Sequence, residues 1–139
     1  MNKDNNNYNM FVEVAEDCPV TIAQIPKAKA GAKTVPLLQY EMIAAQPYIY
    51  TQEDVLFEVH ATRNDIPDEL KAAAREKFFS KGQPCLRTSS LGKRYGWGIH
   101  HNAEGKIALY GMDTAEYQAL KEDSNIKHVK AMRSRGSRA

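Results

Sequence analysis

Between Lys77 and His101 the chain concentrates groups able to do chemistry. The cations are Lys77, Lys81, Arg87, Lys93 and Arg94, with hydroxyls on Ser80, Thr88, Ser89 and Ser90 and a thiol on Cys85. Tyr95, Trp97, His100 and His101 follow. Cations beside hydroxyls suit an anion, because both supply directed donors to its oxygens. Read as a strand, Tyr95, Trp97 and Ile99 share one side while Gly96, Gly98 and His100 share the other. Bare glycine positions weaken a strand unless something profits from close approach to the backbone. One reading packs a helix tightly over Gly96 and Gly98, with Trp97 in the core. The other leaves the strip open as the floor of a pocket, with His100 at its edge and the Arg87–Arg94 loop above. On that second reading the ligand-binding set is Arg87, Lys93, Arg94, Trp97, His100 and His101.

Other chemistries have less support. Cys85 has basic neighbours in sequence, and His100 or His101 would serve as its base, so a Cys85/His100 enzyme is an alternative. The segment from Cys85 to Ser90 lacks the glycines and arginine spacing of a phosphate-cradling cysteine loop, and no GxSxG or GxxxxGK[ST] occurs. No catalytic residue is therefore assigned. Metal binding would draw on His60, His100, His101 and His128, but adjacent strand histidines face opposite ways and neither HExxH nor paired CxxC is present. The expectation is no metal and no cofactor. Paired carboxylates crowd predicted helix starts (Glu53-Asp54, Asp68-Glu69), where the helix dipole already accounts for them. A nucleic-acid-associated protein is a further alternative. Lys127, Lys130, Arg133, Arg135 and Arg138 would add long-range attraction, yet no RNA- or DNA-binding signature is present.

These groups need elements to hold them. Residues 8–14 mix aromatic and β-branched residues and suit a strand. Residues 19–33 carry Pro19, Pro26 and Gly31 and read as an extended loop with one helical turn at 21–25. Thr34 followed by Pro36 starts a helix that ends before Pro47. Thr51-Gln-Glu-Asp54 has the form of a capping box leading into Val55, Leu56 and Val59; the alternation Val55, Phe57, Val59 would also fit a strand, and the cap decides for helix. Pro67-Asp68-Glu69 opens a helix over Asp68–Lys81 stopped by Gly82. Residues 95–101 and 106–110 form a hairpin around Asn102–Gly105, Asp113-Thr-Ala-Glu116 starts a further helix, and residues 126–132 form a last strand. The fold class is α+β: a small antiparallel sheet of three or four strands with helices packed on one face. Residues 8–135 make one domain, with disordered tails at 1–7 and 134–139.

Composition sets the outer limits. At 139 residues with 42% hydrophobic and 26% charged residues, the chain can bury one core. No apolar run approaches the roughly 18 residues that cross a bilayer, so no membrane association is expected. The first residues lack the apolar stretch of an export signal, which points to the cytoplasm and to reduced thiols at Cys18 and Cys85. Residues 1–70 hold 5 Lys/Arg against 11 Asp/Glu, and residues 71–139 hold 14 against 6. Such a split marks either a basic binding face or two halves that neutralise one another. The expected partner is a small anionic ligand, with nucleic acid less favoured and a homodimer through an exposed sheet edge as a third arrangement.

The stretches VEVAEDCPVT (12–21), LQYEM (38–42), EDVLFEVHATRN (53–64), REKFFSKGQPCLR (75–87), KRYGWGIHH (93–101) and KHVKAMRSR (127–135) together resemble a family of small bacterial proteins known only as a domain of unknown function. The resemblance implies a single domain with helices in its middle. It also implies that Cys18, Cys85, His100 and His101 belong to the family pattern, and it brings no chemistry with it.

Overall fold

A computed structural model describes residues 6–134. It is an α+β fold around an open four-stranded sheet. The strands are β1 (Met10–Glu13), β2 (Trp97–His101), β3 (Ile107–Gly111) and β4 (Lys127–Lys130), in the order β3-β2-β1-β4. The helices are α1 (Val35–Ala45), α2 (Gln52–Arg63), α3 (Lys71–Ser80), the single turn α4 (Ser90–Lys93) and α5 (Ala115–Lys121). Of the expected tails, Asn6, Asn7 and Ser134 are placed, and residues 1–5 and 135–139 lie outside the described residues.

Local signals set most boundaries. Thr34 caps α1 by accepting from the Leu37 amide. Thr51 and Asp54 exchange side-chain and backbone bonds at 3.2 and 3.0 Å, a complete capping box that resolves α2 as helix. A 3₁₀ turn over Asp68–Leu70 leads into α3. In the hairpin turn the Asn102 side chain accepts from the Glu104 and Lys106 amides, while Gly105 supplies the positive φ of 80°. Residues 21–25 form no helical turn. They bend at 21–22 and are held to the sheet by Gln24 N donating to Tyr95 O, Trp97 Nε1 donating to Gln24 O, and Ala23 N donating to Asp113. That last bond takes Asp113 away from α5, whose cap is Thr114 instead.

The sheet is mixed rather than antiparallel throughout. β1 pairs antiparallel with β2, and β2 with β3, but β4 pairs parallel with β1. From β3 at one edge the chain must cross to the opposite edge, and α5 makes that crossing, so β4 arrives in the direction of β3 and β1. The same crossing puts helices on both faces of the sheet, where one had been expected to be covered. On the front, Met10, Val12, Ile99 and Ile107 pack with Ile43, Val55, Val59, Leu86 and Leu91 from α1, α2 and the 86–91 segment. On the back, Phe11 and Val14 pack with Tyr117 of α5. Each fully buried large apolar side chain adds roughly 2 kcal/mol.

The back face decides the fate of the glycine strip. β2 begins at Trp97, so Gly96 lies outside it with φ +82° and is covered by Val20, Ala23 and Met112. Gly98 is roofed by the Phe11 and Tyr117 rings: a Cβ there would stand 2.6 Å from Phe11 and 2.7 Å from Tyr117. Those two rings meet edge to face at 5.1 Å, and the Tyr117 hydroxyl accepts the Val14 amide at 2.9 Å. The helix-covered reading of the strip therefore holds at Gly98. On the front, His101 is fully buried opposite Met10 and Ile107, with no hydrogen-bond partner for either ring nitrogen among the described residues. Burial first, and neighbouring His100 second, lower its pKa from 6.5 to about 4.

Two outcomes follow from this packing. Gly98→Ala forces the Phe11 and Tyr117 rings apart and should cost about 3 kcal/mol in urea unfolding; a loss under about 0.5 kcal/mol would show that the rings do not seat on the glycine. Because His101 protonates more readily in the unfolded chain, its contribution is intact above pH 6.5 and is lost as pH falls toward 4. The shift corresponds to about 3 kcal/mol. His101→Leu should therefore lose less stability than the parent between pH 7 and pH 4.5, and equal losses in the two proteins would contradict the assignment.

Candidate functional site

Where the start of β4 meets α2 and the segment before α4, the surface folds into a cleft of about 350 Å³. Its charged lining residues are Arg87 and Lys127, and its amide side chains are Asn6, Asn7, Gln52 and Gln83. Cys85, Met10 and Val129 complete the wall. No carboxylate lines it among the described residues.

Each wall is held by an identifiable contact. Leu86 is anchored in the core, and its amide donates to Gln52 Oε1 at 2.9 Å, so the Cys85–Arg87 turn is fixed to the first residue of α2. The Cys85 carbonyl accepts from both the amide and the hydroxyl of Thr88. Arg87 is tied twice to the far edge of the sheet: its Nε donates to Lys130 O at 2.9 Å and its carbonyl accepts from Met132 N at 2.8 Å. Its terminal amino groups have no partner among the described residues, and Lys127 forms no ion pair there. Asn6 closes the remaining side, its Oδ1 accepting from the Glu53 amide at 2.9 Å.

Elsewhere, ion pairs join the two halves of the chain at several points. Glu16 pairs with Lys130 at 3.2 Å and with Arg133 at 2.6 Å, Glu58 with Lys71 at 3.1 Å, and Asp54 with Arg75 at 3.0 Å. Exposed pairs of this kind add little stability. They do show that the acidic first half and the basic second half interleave, whereas no carboxylate among the described residues lines the cleft.

The residues singled out from sequence are spread over both faces. Arg87 lines the cleft. Lys93 ends α4, and exposed Arg94 borders a separate hollow beside Asp17, Pro19 and Ser134. Trp97 is half-buried on the front face, 5.3 Å from the Tyr40 ring, with its Nε1 spent on Gln24 O. His101 is inside the front core, and His100 faces the back. Cys85 opens into the cleft beside Met10, whose side of the sheet is opposite to that of His100. No histidine nitrogen hydrogen-bonds Cys85, and no trio of His, Cys, Asp or Glu gathers to hold a metal, among the described residues. Cys18 and Cys85 are both free thiols.

His100 belongs to a different constellation. Its Nδ1 lies 2.8 Å from the Tyr48 hydroxyl, which lies 2.8 Å from the Tyr110 hydroxyl. Tyr48 sits at φ +60°, a left-handed conformation that a bulky residue rarely adopts without being held. Its amide, bonded to Ile107 O, and its hydroxyl, between His100 and Tyr110, hold it there. Burial first and the Tyr110 hydrogen bond second raise the Tyr48 pKa, and burial lowers that of His100, so the neutral forms dominate at pH 7.

Lys127, Gln52, Gln83 and Asn6 also line the cleft, and no catalytic or ligand-binding motif marks them. In sequence Lys127 lies in the predicted last strand and among the basic residues of the C-terminal region, Gln52 in a capping box and Asn6 in a polar tail; the alternating pattern of residues 126–132 is the usable signal, since it places Lys127 and Val129 on the same side. Tyr48 follows Pro47 in a segment with no periodicity to read. Comparison with curated proteins and with solved structures gives no match. The profile of a family of unknown function, DUF6157, matches residues 2–137, and the chain belongs to that family.

Proposed function

We infer that the chain is a non-enzymatic binding module for a small anionic ligand, seated in the cleft between Arg87 and Lys127. The observation that carries this reading is the lining itself: two cations with no carboxylate partner among the described residues, together with four amide side chains, in one concavity of about 350 Å³. With Nε held by Lys130 O, the guanidinium has lost much of its rotational freedom, and its unpartnered edge matches the two oxygens of a carboxylate or phosphate. Lys127 adds a point charge from the adjacent strand, and Gln52 and Gln83 add polar contacts at the wall. Hydrogen bonds to charged groups are worth about 1.5–3 kcal/mol each when partly shielded from water. We place this function in a bacterial cytoplasm, where the free thiols of Cys18 and Cys85 stay reduced.

The test is titration with inorganic phosphate at low ionic strength, followed by calorimetry and thermal melting. The parent protein should bind, with its melting temperature rising with phosphate and the gain falling as NaCl is added. Lys127→Gln, at an exposed position, should keep the unliganded melting temperature and weaken binding about tenfold or more. Arg87→Gln should weaken it further, and Arg94→Gln should leave it unchanged. Equal phosphate affinity in all four proteins would overturn the reading.

A further inference from the structure

A second hollow, of about 390 Å³, adjoins the anion cleft between α2 and α3, and Gln83 lines both. Its floor is aromatic. The Phe78 and His60 rings lie 4.5 Å apart at 32°, and Phe57 supports Phe78 from behind at 5.9 Å and 68°. Lys77 and Lys81, both exposed, stand at its rim, and no carboxylate lines it among the described residues. Gln83 Nε2 donates to Phe78 O at 2.7 Å, which holds the 81–83 turn as the shared wall of the two hollows. The fold thus sets the stacked Phe78–His60 pair beside Lys127 and Arg87, whose Nε is held, with further positive charge along the rim.

We propose that the two hollows form one site for a nucleotide-type ligand, a heteroaromatic ring stacking against Phe78 and its phosphate meeting Arg87 and Lys127. This rests on the anion-binding reading of the first cleft and names its ligand class. Stacking suits a base because every base presents a π face, and rim lysines suit the charge that follows it. The aromatic cluster gives the ring a reason to be recognised that a bare anion site lacks. α3 contributes no fully buried residue and is held to α2 through Phe57–Phe78 and the ion pairs of Lys71 and Arg75, so its aromatic face is not consumed by the core.

The experiment compares inorganic phosphate, adenosine and each of the four common ribonucleoside 5′-monophosphates by calorimetry on the full chain. At least one monophosphate should bind tenfold or more tightly than phosphate. Phe78→Leu should reduce that nucleotide to the affinity of phosphate while phosphate itself binds as before. Should Phe78→Leu lower the melting temperature, the exposed Lys77→Gln/Lys81→Gln pair provides the second arm: nucleotide binding weakened several-fold, phosphate binding within twofold of the parent. If no monophosphate exceeds phosphate, or if these variants leave nucleotide binding unchanged, the nucleotide site is overturned while phosphate binding through Arg87 and Lys127 still stands. If phosphate itself does not bind, it is the anion-binding reading that fails.

Discussion

Tyr117 lying across Gly98 is the contact on which the arrangement turns. The glycine lets the Tyr117 and Phe11 rings descend to the strand backbone, closer than any Cβ would permit, and the Tyr117 hydroxyl then reaches the Val14 amide. One side chain thereby joins α5 to β1 and β2. Because α5 is the crossover to β4, its seat also fixes where β4 lies, and β4 carries Lys127 and the carbonyl that holds Arg87. A packing contact on the back face is in this way linked, through the crossover, to the position of two cations at the edge of the front face.

Covering the back of the hairpin also distributes the remaining chemistry. Gly96 is closed by the 19–25 loop and Gly98 by α5, so main-chain atoms there are not offered to a guest. His100 is engaged by Tyr48, and His101 is enclosed in the core as a neutral ring. Open concave surface lined by Arg87 and Lys127, with no carboxylate among the described residues, is found instead where the 85–87 turn, α2 and β4 meet. Glu16, Asp54 and Glu58, by contrast, are paired with cations elsewhere.

Much of the fold was legible because its signals are local. Thr34 with Pro36, the Thr51–Asp54 box and the Asn102–Gly105 turn each specify a boundary through bonds made within a few residues. The parallel pairing of β4 was not legible, since the alternation in residues 126–132 is the same for either direction and only the length of the α5 crossing distinguishes them. The site was legible in part. Arg87 and Cys85 were singled out by composition, but grouping them with Trp97 and the adjacent histidines assumed that neighbours in sequence share a surface. On a strand, successive residues part to opposite faces, and the edge strand that completes the cleft comes some forty residues later in the chain.

Backbone amide chemical-shift mapping during a titration with inorganic phosphate tests this account most directly, because it reports where an anion sits without presupposing a variant. The expected result is that shifts concentrate at Gln52, Gln83, Cys85–Arg87 and Lys127–Val129, while Gly96–His101 stay still. Shifts centred on Gly96, Gly98 and His100, with the Arg87–Lys127 cleft silent, would contradict it: the glycine strip would then be open and the cleft would be an empty surface hollow.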